Sequence, residues 1–185
     1  MSTSRRRARA RISSLNPIEL VDFTRFVAAE VAAGRYPYVE YDADDRWHQR
    51  LYRDPRVDIW LISWLPSQGT QLHDHGGSSG AFTVLSGELS EALYRPHHTA
   101  EDALLENVRP AMTAIGFGEH YVHDVRNLSD GPAVSVHAYS PPLDTMNFYD
   151  VDDHGGLSRL ATMATSDPEP AVDLDRPRTG GSSAA

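Results

Sequence analysis

Cysteine is absent from the 185 residues. That excludes a disulfide framework, a thiolate metal site and a cysteine nucleophile. Lysine is absent as well: all 17 basic residues are arginine, against 26 acidic ones, for a net charge of -9. Phosphate binding needs concentrated positive charge, so nucleic acid is not the expected partner. Long apolar runs are missing too. The longest, Ile59 to Pro66, contains Ser63 and falls far short of the ~20 residues a bilayer crossing takes, so no membrane partner is expected. The basic run from Arg5 to Arg11 leads into Ser13, Ser14 and Asn16 with no apolar segment behind it, unlike a secretory leader. The expectation is a cytoplasmic protein. No internal repeat is visible.

What remains is a domain with ragged ends. Residues 1–15, with five arginines, read as a disordered basic extension, and residues 164–185, rich in Pro, Asp, Gly and Ser, as a disordered tail. Residues 16–163 form the expected domain. Asn16, Pro17 and Glu19 carry the capping signals of a helix. Leu20, Phe23, Val27 and Val31 follow at helical spacing, and Gly34 can end it. Short apolar alternations then predict strands over Val57–Leu65, Ala81–Leu85, Leu89–Tyr94, Met112–Phe117, His120–Val125 and Ala133–Tyr139, with Gly- and Pro-containing turns between them. Many short strands after one helix predict a mostly β fold, a small barrel or double-sheet jelly roll.

Two patterns carry chemistry. In QLHDHGGSSG, His73 and His75 are i and i+2 on an extended segment, so both imidazoles reach the same side while Asp74 faces elsewhere. The plain alternative is polar alternation on a solvent face, and the Gly-rich turn that follows favours the mouth of a barrel instead. His123, followed by Asn127, is the third ligand candidate, with His120 as its competitor. Neutral imidazoles suit Fe, Zn, Ni or Cu, so donor type alone does not select the metal. In SVHAYSPP, Ser135, His137 and Tyr139 alternate and share a face, where they can form a hydrogen-bond relay. The competing reading puts Val134, Val136 and Ala138 on the core face and the polar three outward.

The runs LHDHGGSSGAFTVLSGELSEALY and HDVRNLSDGPAVSVHAYSPPLDTMNFYD resemble the cysteine dioxygenase family of the cupin superfamily. The resemblance covers roughly Asn16 to Asp150. It implies a small cupin barrel that holds Fe(II) through His73, His75 and His123, with the Ser135–His137–Tyr139 relay beside it. It implies a small thiol and O₂ as partners, giving a sulfinate, and a monomer is expected. Many cupins carry a glutamate ligand several residues beyond the histidine pair. Gly76 to Gly80 offers none here, in keeping with three histidines. In the animal enzymes a cysteine at the Gly80 position crosslinks to the relay tyrosine, which this chain cannot do.

Substrate choice turns on RWHQRLYR. An arginine there resembles cysteine-type members and a glutamine resembles mercaptopropionate-type ones; Arg50 and Gln49 compete, and one residue of register decides. A guanidinium would fix a carboxylate by a bidentate pair, so L-cysteine with Arg50 is expected and 3-mercaptopropionate with Gln49 is the alternative. A non-catalytic metal-binding cupin is the other alternative class.

Overall fold

The computed structural model describes residues 13–36, 38–165 and 167–168. Most of the expected basic extension and of the expected tail, residues 1–12 and 169–185, lies outside the described residues.

Helix α1 spans Pro17–Ala32. The Asn16 side chain accepts from the Ile18 and Glu19 amides at 2.9 and 3.1 Å, and Glu19 accepts from the Asn16 amide at 2.8 Å. That reciprocal box is the one the sequence predicts. The buried stripe differs from the predicted one. Leu20, Thr24, Val27 and Ala28 face inward, while Phe23 remains 38% exposed. Thr24 takes the inward place because its hydroxyl accepts from Thr83 Oγ1 at 2.8 Å, which satisfies a buried polar group.

Among the described residues, eleven strands follow. They are β1 (His48–Arg53), β2 (Asp58–Trp64), β3 (His73–Asp74), β4 (Ser79–Ser86), β5 (Glu88–Tyr94), β6 (Leu104–Pro110), β7 (Ala114–Phe117), β8 (His123–Arg126), β9 (Ala133–Ser140), β10 (Thr145–Val151) and β11 (Leu157–Ala164). They pair antiparallel into a five-stranded sheet, β1-β2-β9-β4-β7, and a six-stranded sheet, β11-β10-β3-β8-β5-β6. The fold is mostly β, a double-sheet jelly roll, as predicted. The two sheets stay separate rather than closing hydrogen bond to hydrogen bond, so β1, β7, β11 and β6 are edges.

Two predicted strands start too early. Met112 sits at φ 69, in the left-handed region, so β7 begins only at Ala114. His120 lies in a turn, and β8 begins at His123. Between the sheets, Trp60, Ile62, Trp64, Phe82, Val125, Met146 and Phe148 pack together. A second cluster joins Leu20, Val27 and Ala28 of α1 to Ile59, Leu61, Val134, Val136 and Ala138 on the outer face of the five-stranded sheet. Strand β9 is therefore buried on both faces. No described helix is long and apolar enough to cross a membrane.

Candidate metal centre

Strand β3 is only two residues long, and its middle-of-motif residue holds it in place. Asp74 Oδ1 accepts from Asn147 Nδ2 and from the Gly76 amide, both at 2.8 Å, and Oδ2 accepts from the Tyr149 hydroxyl at 2.5 Å. Burial and Asp74 push the Tyr149 phenol up to about 12. Gly76 turns the chain at φ +60, where a Cβ would stand 2.4 Å from the Thr145 carbonyl oxygen. Only glycine fits that turn.

On the opposite side β3 pairs with β8, and His73 stands directly across from His123. His73, His75 and His123 are all buried, and one ring nitrogen from each lies within 4.8 Å of the other two. His73 Nδ1 lies 2.6 Å from the Gln71 carbonyl oxygen. A carbonyl only accepts, so that nitrogen carries the proton and Nε2 carries the lone pair. His123 is fixed likewise: Nδ1 is 2.8 Å from Glu91 Oε1. Neither ring nitrogen of His75, nor Nε2 of His123, has a hydrogen-bond partner among the described residues. Burial, with His73, His123 and His137 around it, holds His75 well below the ordinary histidine range, so it is neutral. Buried imidazole nitrogens left without partners are costly, and a divalent ion accepting their lone pairs removes that cost. The residues present fit such an ion. His120 is 92% exposed beside Glu119 and takes no part in the cluster.

The relay residues face the same interior. The Trp64 indole donates to Ser135 Oγ at 2.8 Å, Ser135 Oγ lies 2.8 Å from His137 Nε2, and His137 Nδ1 lies 3.3 Å from the Tyr139 hydroxyl. When Ser135 donates to Nε2, the His137 proton sits on Nδ1, toward the Tyr139 oxygen, and the Tyr139 O–H becomes a donor to a further acceptor. The Tyr139 ring is 5.0 Å from that of His75. Gly80 pairs with Tyr139 across β4 and β9, and a Cβ there would meet Phe117 at 2.4 Å. Phe117 fills that space and stacks on His75 at 4.9 Å.

Register separates Arg50 from Gln49. Gln49 stands opposite Leu61, on the helix side with Trp47 and Leu51, and its buried Oε1 finds no hydrogen-bond partner among the described residues. Arg50 stands opposite Trp60, a residue of the cluster between the sheets, and its guanidinium lies 4.2 Å over the Trp60 ring. Asp58, opposite Tyr139, binds Arg50 Nε at 3.0 Å and Arg53 at 2.7 Å. Burial pushes the Asp58 carboxyl up, against the pull of the two arginines.

The sequence reading missed Glu91, Arg109, Tyr121, Trp64 and Asp58. A signal existed for Glu91, a charged residue at i+2 from Leu89 and i−2 from Leu93 on a predicted strand. A charge on the apolar phase of a strand is buried and paired or misassigned. Here it is buried, and it accepts from His123, Tyr121 and Arg109. Burial alone would raise its carboxyl, but His123 and Arg109 outweigh it and hold it below the ordinary range.

The chain is similar to known proteins. A family model described as cysteine dioxygenase type I matches residues 25–152. Among curated proteins, the chain is similar to cysteine dioxygenase type 1 of Rattus norvegicus, 29% identical over 102 residues, covering 51% of this chain and 50% of that one. The same protein of Homo sapiens is 30% identical over 100 residues, with the same coverage. The chain thus spans about half the length of the curated relatives it matches. Among solved structures, a recombinant oxalate oxidase in complex with glycolate aligns with a TM-score of 0.50 at 15% identity, over 62% of this chain and 60% of that one. At that identity the likeness is one of fold.

Proposed function

The chain belongs to the cysteine dioxygenase type I family, and from that premise we propose that it is an iron(II)-dependent thiol dioxygenase acting on L-cysteine. The reaction adds both atoms of O₂ to the thiolate sulfur, so RS⁻ and O₂ give RSO₂⁻, a sulfinate, with no other co-reactant. The observation that carries this reading is the buried cluster of His73, His75 and His123, whose lone pairs converge with no carboxylate among them. Iron(II) held there would bind the soft, anionic thiolate and O₂ side by side and mediate transfer of the oxygens to sulfur.

The chain's own residues do the rest. Arg50, held by Asp58 and stacked on Trp60, receives the substrate carboxylate as a bidentate pair. Its place on the inner face favours it over Gln49, which is turned to the helix side. Tyr139 donates its O–H to the reacting end of the substrate, with its orientation set by His137, Ser135 and Trp64. The rings of Phe117 and Phe148, against His75 and His73, keep water from the sulfur during the reaction.

The test is O₂ consumption after anaerobic iron loading, with L-cysteine, 3-mercaptopropionate and cysteamine side by side. L-cysteine is expected to be the fastest, and cysteamine, which has no carboxylate, the slowest. Equal rates with cysteamine would remove Arg50 from substrate binding. No uptake with any thiol, in protein that holds iron, would leave a metal-binding protein without this activity.

A further inference from the structure

We propose that Glu91 is a positioning residue of the metal centre: it aims the Nε2 lone pair of His123 at the cluster and adds negative charge to an otherwise neutral set of donors. The inference rests on the three-histidine reading above and deepens it. Glu91 and His123 lie on neighbouring strands, opposite Val125 and Leu93 respectively, so they are diagonal neighbours on one face. Both side chains are fully buried.

Among the described residues, each polar partner of the carboxylate can donate to it. Oε1 lies 2.8 Å from His123 Nδ1 and 3.0 Å from the Tyr121 hydroxyl, while Oε2 takes both Nε and an Nη of Arg109, at 2.9 and 2.7 Å. Arg109 is a permanent cation that places two N–H groups on Oε2 of this fully buried side chain, and such a charge-assisted pair holds Glu91 as a carboxylate. Glu91 therefore receives the Nδ1 proton of His123, which leaves Nε2 as the coordinating atom. Phe117 stacks on Tyr121 at 5.0 Å and packs 5.2 Å from His123, closing the group against rotation.

A carboxylate accepting from Nδ1–H increases the electron density at Nε2. Negative charge so close favours the ion of higher charge over the ion of lower charge. Glu91 thus restores, at one remove, part of the charge that a carboxylate ligand supplies in other sites. Arg109 and Tyr121 draw some of that charge back, so the three residues set its amount.

The experiment is a redox titration of the iron-loaded full chain, following the high-spin ferric EPR signal, together with retention of iron(II) against a chelator. E91Q keeps the shape and removes the charge. It should raise the reduction potential and weaken iron retention roughly ten- to a hundred-fold. R109Q keeps the carboxylate and removes its cationic partner, so its potential should fall. Y121F should fall in the same direction by less, and these two variants carry the test if E91Q does not fold. A tenfold change in the preference for ferric over ferrous iron reads as about 59 mV. Shifts of opposite sign are the signature of charge; a purely structural role would move E91Q and R109Q alike. In variants that hold iron, E91Q and R109Q potentials that stay put or shift the same way, or R109Q and Y121F potentials that do not fall, would overturn the inference and leave the histidine site intact. A wild-type chain that holds no iron would remove the metal reading itself, and this one with it.

Discussion

On one face of β9, Val134, Val136 and Ala138 pack against Leu20, Val27 and Ala28 of α1. On the other, Ser135, His137 and Tyr139 point between the sheets, where Trp64, Phe82 and His75 meet them. The helix side is almost wholly apolar, with the Thr24–Thr83 hydroxyl pair as its polar bridge. The intersheet side holds His73, His75, His123, Glu91 and the relay, all buried. A sandwich that fills its middle with imidazoles and a carboxylate forgoes apolar burial there. The helix, laid across the outside of the five-stranded sheet, supplies a second core at about 25 cal/mol per Å² buried. One face carries the candidate metal centre and the other an apolar core.

The largest break in that division comes from His75→Ala. Bound iron, measured colorimetrically, should be lost and O₂ uptake should fall to background, while the melting temperature of the metal-free protein stays near wild type or rises, because a buried orphan is gone. Leu61→Ala is the converse. Leu61 is fully buried under α1, so urea unfolding should show a loss of about 2–5 kcal/mol while iron content per folded chain holds. An iron loss comparable to that of His75→Ala would mean that the two cores are not separable.

Smaller effects sharpen the contrast. Tyr139→Phe removes only a hydroxyl 3.3 Å from His137. Iron content should hold while turnover with L-cysteine drops ten- to a hundred-fold, about 1.4–2.7 kcal/mol. Unchanged turnover would reduce the relay to buried polarity without a role in the reaction. The smallest expected effects come from β1, whose two faces repeat the division. Arg50→Ala should raise KM for L-cysteine roughly tenfold, about 1.4 kcal/mol, because a carboxylate then loses its cation. Gln49→Ala should leave KM near wild type, since Gln49 stands with Leu61 on the helix side. The reverse pattern would transfer carboxylate binding to Gln49.

Legibility followed exposure. Strands β2, β4, β5 and β9 were readable because each is largely buried and correspondingly rich in apolar residues. The edge strands β1, β6 and β11 were not, because an edge leaves most of its residues in solvent and its apolar pattern is faint. Strand β3 is too short for any period to show. Both rival readings of SVHAYSPP proved to describe the same strand. Val134, Val136 and Ala138 do face a core, and the polar residues face inward as well, because α1 turns the outer face of the sheet into an interior.

By itself the sequence determined the helix and its capping box, the mostly β class, the pair His73 and His75, and the shared face of Ser135, His137 and Tyr139. These are local: spacing along the chain and the period of 2 suffice. Which histidine completes the cluster, which of Gln49 and Arg50 faces inward, and that Glu91, Arg109 and Tyr121 converge behind His123 were decided only by the tertiary structure. Each depends on pairing between strands far apart in sequence, where a shift of one residue turns every side chain to the opposite face.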